Sequence, residues 1–327
     1  MKPTSRILVI GTLVALVAAC NGSTGSLGSI PTAAPTASAD TGGPDLTAAP
    51  GGSATPSIAP SGEPAATATA SSAATPAASP AATMIVRAYF ILGGPPGSVG
   101  LVPVLRVVPQ SAAVASAAMT ALLAGPTTTE TRDRSITSAV PEGTGLLGLS
   151  IRNGVATVDL STEFDSGGGT ASMEYRLAQV VYTLTQFSTV KSVVFQMEGQ
   201  TVTVFGSEGI VLDGPVGRAD YYDQLPSIFV DRPAFGAAFA DPGRVAGNAN
   251  VFEATFRVAV LDAAGKILID QQVMASCGTG CRGTFDVTLH YTVAKGQWGT
   301  LRAYDLSAKD GTPENIREYP VWLTPAG

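Results

Sequence analysis

From Ser150 to Gly199 the chain sets down a hairpin, a helix and a buried strand in immediate succession, and that order restricts the fold more than any other stretch. Asn153-Gly154 lies between two apolar-rich runs. Both central positions of a tight hairpin turn need positive φ, which Asn and Gly tolerate. Met173, Leu177, Val180, Val181, Leu184 and Phe187 then recur at helical spacing and draw one apolar stripe. Ser172 is the expected N-cap, and Glu174 places negative charge at the positive end of the helix dipole. The segment V-K-S-V-V-F-Q-M-E-G closes the stretch as a strand. A hairpin, an amphipathic helix and a buried strand form the centre of an α+β layer.

The flanking sequence extends this unit. Met84–Leu92 and Leu101–Val108 read as strands around a Gly/Pro-rich loop, and Pro103 suits an edge or bulge. Ser111 is the expected cap of a helix through Ala124, which Gly125-Pro126 stops. Thr127–Pro141 reads as a polar loop. Ser192–Met197 and Thr201–Phe205 read as a last hairpin around Gly199-Gln200. The predicted module covers 84–210, in the order β-β-α-β-β-α-β-β, with one sheet and two helices on one face. A connector (211–224) leads to a second domain (225–327). There, Phe285, Val287, Leu289 and Tyr291 alternate with Asp286, Thr288 and His290. About seven short strands and no helical pattern predict an all-β sandwich.

The N-terminus reads as an address. Lys2 and Arg6 precede an apolar run of 13 residues, Ile7–Ala19. A transmembrane helix needs about 20, so the run fits a signal peptide over residues 1–20. It ends Val17-Ala18-Ala19-Cys20, which resembles the lipobox of bacterial lipoproteins and implies lipidation of Cys20. Residues 21–83 are almost entirely Ala, Pro, Ser, Thr and Gly. Such a segment lacks the apolar area to offset ordering entropy and is expected to be a disordered stalk. Charged residues make up only 13% of the chain and the net charge is -6. That balance argues against nucleic acid, which calls for a basic face, and against a polybasic membrane-surface protein.

Four segments carry a family resemblance: L-L-A-G-P (Leu122–Pro126), V-P-E-G-T (Val140–Thr144), N-G-V-A-T-V-D-L-S (Asn153–Ser161) and Q-V-V-Y-T-L-T-Q-F (Gln179–Phe187). Together they resemble the GerM-type sporulation and spore germination domain. In the second domain, G-N-A-N-V-F-E-A, G-T-F-D and L-S-A-K-D-G resemble the immunoglobulin-like domain of bacterial spore germination. The resemblance implies an α/β module outside the cytoplasmic membrane, similar in fold to ring-building motifs of secretion-like assemblies. It supplies no catalytic residues and no cofactor.

Candidate residues each have a plainer reading. Cys277 and Cys281 flank Gly278-Thr279-Gly280. In an oxidising compartment a disulfide is expected, with half a metal site as the rival, although one histidine leaves few ligands for closed zinc. His290, the single histidine, would have to be the base of any Ser-His-Asp triad, but it lies in a strand and no G-x-S-x-G elbow accompanies it. Gly167-Gly168-Gly169-Thr170 precedes a helix as an anion loop does, without the following lysine. Asp159, Ser161, Glu163 and Asp165 offer oxygens for calcium or a carboxylate pair for glycan hydrolysis, but lack the EF-hand pattern and equally suit the capping of a strand end. Tyr221 and Tyr222 suit either an exposed platform for sugar or protein, or packing between the domains.

The expected function is a non-enzymatic lipoprotein on the outer face of the cytoplasmic membrane. It would bind an envelope protein or peptidoglycan and take no cofactor. A cell-wall hydrolase and an accessory sensor of a membrane kinase are the alternatives.

Overall fold

The computed structural model describes residues 82–326. Cys20, the signal segment and nearly all of the stalk lie outside them. Strands β1 (Thr83–Leu92) and β2 (Gly100–Pro109) form a ten-residue hairpin, from Thr83 opposite Pro109 to Leu92 opposite Gly100. Helices α1 (Val114–Leu123) and α2 (Thr128–Arg134) follow, then β3 (Ile136–Thr137). The central hairpin is β4 (Leu146–Arg152) and β5 (Val155–Leu160), with Asn153 at φ 51° and Gly154 at φ 84°, as its turn chemistry requires. Helix α3 (Thr170–Leu184) crosses over to β6 (Ser192–Met197), which runs parallel to β5. Short β7 (Gln200–Thr201), β8 (Val204–Phe205) and β9 (Ile210–Val211) end the module.

The predicted single sheet is corrected. The module holds two main sheets, β2-β1-β3 and β4-β5-β6-β7, and α1 and α3 pack against both. The cause lies on one edge of β1. Beyond Ile91 and Leu92, which meet β3, no strand among the described residues covers that edge. Side chains of α3 and of the turn after it cover it instead. Gln186 accepts from Arg87 N at 2.9 Å and donates to Arg87 O at 2.7 Å. Thr183 Oγ1 accepts from Tyr89 N at 3.1 Å, and Gln179 Nε2 donates to Tyr89 O at 2.9 Å. Buried backbone groups must be paired, and here side chains of the helix and its following turn stand where a neighbouring strand would.

Other boundaries also move. The expected loop 127–141 contains α2, started by a reciprocal cap. Thr127 Oγ1 accepts from Glu130 N at 3.2 Å, and Glu130 accepts from Thr127 N at 2.8 Å. Ser111 does not cap α1. Its hydroxyl accepts from Ala113 N, and the helix begins at Val114. Gly169, not Ser172, is the N-cap of α3. The last hairpin turns at Glu198-Gly199, and β8 pairs with β9 rather than continuing β7.

The second half opens with β10 (Ile228–Arg232), β11 (Ala238–Phe239), β12 (Gly243–Ala249) and β13 (Thr255–Leu261). It closes with β14 (Ile267–Met274), β15 (Gly283–Leu289), β16 (Gln297–Leu306) and β17 (Pro313–Leu323). They build sheets β10-β12-β15 and β11-β17-β16-β13-β14. The alternation holds: Phe285, Leu289 and Tyr291 are buried, and Phe285 meets Phe256 of the facing sheet at 4.8 Å between ring centroids. Fully burying such a side chain contributes about 1.5–3 kcal/mol.

The two halves share one core and form one compact unit. The β1–β2 hairpin lies along the second domain. Ser227 N donates to Gly97 O and Phe235 N to Pro103 O, both at 2.8 Å. Gly100, at φ 150°, is held against Pro226, where a Cβ would come within 2.5 Å of the proline nitrogen.

Candidate functional site

The junction beside that hairpin holds the densest polar chemistry of the described residues. Asp231 on β10 faces Arg87 and Tyr89 of β1 and Arg218 of the connecting 3-10 turn. Both guanidinium groups lie 3.4 Å from Asp231 Oδ2, and the Tyr89 hydroxyl donates to Oδ1. Arg218 also donates to the Tyr89 oxygen at 3.1 Å and to Thr185 Oγ1 at 2.9 Å, and its guanidinium lies 4.6 Å from the Tyr182 ring centre. Burial alone would raise the Asp231 carboxyl. The charges of Arg218 and Arg87 and the Tyr89 hydrogen bond outweigh it and hold the group below the usual carboxylate range. Burial, then the Asp231 charge, push the Tyr89 phenol far above its ordinary value. The group is therefore a fixed ionic cluster rather than a proton-transfer pair.

A second contact sits at the far end of the hairpin. Arg317 of β17 is 1% exposed. Its guanidinium donates to Leu101 O at 3.0 Å, Leu92 O at 3.3 Å and Ser98 O. Among the described residues no carboxylate pairs with it. Three carbonyls of one domain thus hold a cation of the other.

Between α2 and the outer face of β16 and β17 the two domains leave a cleft of about 540 Å³. Trp298, Thr300 and Pro320 line one wall, and Thr127, Thr129 and Arg134 the other. Trp298 pairs across the strands with Trp322, ring centres 5.5 Å apart and nearly perpendicular.

The residues nominated by the sequence fall elsewhere. Cys277 and Cys281 are joined as a disulfide. Their turn rests on the 250–254 segment, where Thr279 N donates to Val251 O and Gly280 N to Asn250 Oδ1. His290 is exposed, its Nδ1 3.5 Å from Asp241. In the acidic stretch, Asp159 accepts from Gly199 N and Ser161 from Gly145 N, so both tie turns together. Among the described residues no three metal-type ligands converge. The glycine loop offers carbonyls inward: buried Arg176 donates to Phe164 O at 2.6 Å, Ser166 O at 3.1 Å and Gly167 O at 2.8 Å. Tyr221 is buried, and Tyr222 lies under the Arg282 guanidinium at 5.9 Å.

Sequence reasoning missed Asp231, Arg218, Arg317 and the tryptophans. A signal existed for the last. The chain has two Trp in all, at outward positions of two consecutive strands.

Comparison with known proteins matches residues 87–203 to the Germane family, described as sporulation and spore germination, and residues 227–312 to Gmad2, the immunoglobulin-like domain of bacterial spore germination. Among solved structures the chain is similar to the tandem GerMN domains of the sporulation protein GerM from Bacillus subtilis, at 16% identity and TM-score 0.37, covering 75% of this chain and 62% of that one. It is also similar to the first GerMN domain of that protein, at 21% identity and TM-score 0.35, covering 42% of this chain and 99% of that one. The chain thus spans less than two thirds of the tandem-domain structure. No curated protein matches the sequence. By these two matches the chain carries a Germane domain of the sporulation and spore germination type, followed by an immunoglobulin-like domain of bacterial spore germination.

Proposed function

We propose that the chain is a lipid-anchored, extracytoplasmic binding protein that presents its two domains as one rigid body in the cell envelope during sporulation or germination. The observation that carries this reading is the junction. A shared core, a partly buried ionic cluster and the Arg317 contact fix the two domains together, which suits a surface offered to a partner. Both matched families are described by germination and neither by a reaction. The V-A-A-C sequence ending at Cys20 supports the anchor, and several acyl chains hold firmly, at about 0.8 kcal/mol per buried CH₂.

The test is metabolic labelling of cells with an alkyne fatty acid, read beside protease treatment of intact cells whose outer face is accessible. The full chain is expected to take up the label and be cleaved from outside, and Cys20→Ala to lose the label and appear in the medium. An unlabelled or protease-protected wild-type chain would overturn the proposal.

A further inference from the structure

The cleft between α2 and β16–β17 has the chemistry of a saccharide site. At about 540 Å³ it falls within the roughly 300–1,000 Å³ typical of ligand sites, which favour domain boundaries. Trp298 and Trp322 keep 53% and 38% of their surface exposed. Large exposed indoles side by side on a soluble surface call for an occupant. Trp322 is seated, since a Cβ on Gly296 would touch its ring at 3.0 Å. Of the two, Trp298 lines the cleft, and an open indole can meet the C–H face of a sugar ring.

The polar lining agrees. Arg134, Thr129 and Thr300 make no side-chain hydrogen bond among the described residues. The Thr127 oxygen accepts from Glu130 N, which leaves its proton to donate. Asp262 gives Oδ1 to two backbone amides and keeps Oδ2. Glu130 is neutralised by Arg106 in a two-pronged contact at 2.7 and 2.8 Å. One cation and one anion therefore remain, balanced across a hydroxyl-rich cleft. That balance disfavours a phosphate or an acidic peptide and fits an uncharged ligand with many hydroxyls. An added peptide strand is also disfavoured, because β16 is an interior strand and β11 covers β17 beside Trp322.

We propose that this cleft binds a glycan chain, with Trp298 as the stacking ring, Trp322 packed edge-to-face against it, and Thr300 and Arg134 as hydrogen-bonding groups. The inference rests on the envelope reading only for the source of the glycan.

These are the two tryptophans of the chain, so intrinsic emission reads Trp298 in the cleft and Trp322 packed beside it. The full chain is titrated with the hexamer of β-1,4-linked N-acetylglucosamine, and in a second arm with intact cell-wall sacculi. A saturable blue shift is expected with the hexamer. Trp298→Ala should weaken binding about tenfold or more and Thr300→Val by less, while Trp298→Tyr, which keeps a ring, should retain most of it. No shift at millimolar hexamer, equal affinity in Trp298→Ala, or a shift given only by a proline-rich peptide would overturn the proposal. Binding of the hexamer without binding of sacculi would support the site and exclude the wall as its source. Because the hexamer is soluble, this arm stands or falls independently of lipid labelling.

Discussion

Asp231 and Arg317 grip the same hairpin, yet one is met by counter-charges and the other is not. Asp231 has two guanidinium groups and a phenol around it. Among the described residues Arg317 has three carbonyl oxygens and the Tyr319 ring, and no carboxylate. The first contact resembles a small ionic lattice, in which removing one member strands the others. The second is a charge solvated by backbone, in which removing the charge also removes its own desolvation cost. The Asp231 side chain is 20% exposed and Arg317 1%, so the comparison teaches that the partners, more than the depth of burial, set the consequence of losing each residue.

The largest expected effect follows from stranding charge. Asp231→Ala leaves Arg87 and Arg218 unbalanced, and because these side chains keep some solvent the loss should be about 3 kcal/mol, the low end for a broken buried pair. Arg317→Leu orphans three carbonyls but discards a buried cation, so about 1–3 kcal/mol is expected. Urea melts of both variants make the check, and a greater loss for Arg317→Leu would break the comparison. Acid sharpens it. A carboxyl held low in the folded state contributes stability that is present above its unfolded pKa and lost as pH falls through the folded one. The wild-type urea midpoint should therefore drop as pH falls below about 4, and Asp231→Asn should flatten that limb while Arg317→Leu leaves it. The smallest effect belongs to the exposed pair Arg244–Asp286. Asp286→Asn should shift no melt measurably, since such pairs are screened by water.

The periodic elements were legible and the pairings were not. Asn153-Gly154 and the stripe of α3 announced themselves through turn chemistry and spacing. Helix α2 was written in Thr127 and Glu130, but a seven-residue polar segment lacks an apolar stripe to confirm the cap. The split sheet was hidden, because what covers the second edge of β1 depends on Gln179, Thr183 and Gln186, about a hundred residues away. On a helical pattern these residues look like ordinary polar interruptions. The residues the sequence singled out for chemistry, from Asp159 to Asp165 and at His290, carry eye-catching side chains in local roles. The junction and the cleft were missed because each is assembled from four or more distant segments.

The hydrogen bonds to β1 from α3 and the turn after it also bear on crowding. An uncovered strand edge is a template on which identical chains can add to one another and aggregate. Chains gathered on a two-dimensional surface would meet one another often. Glutamine and threonine side chains bind the edge from within the same fold, so β1, one of the two longest strands of the first module, is already occupied when a neighbour arrives. Removing Gln186 should thus show itself less in the melting of one molecule than in the concentration at which many of them stop staying apart.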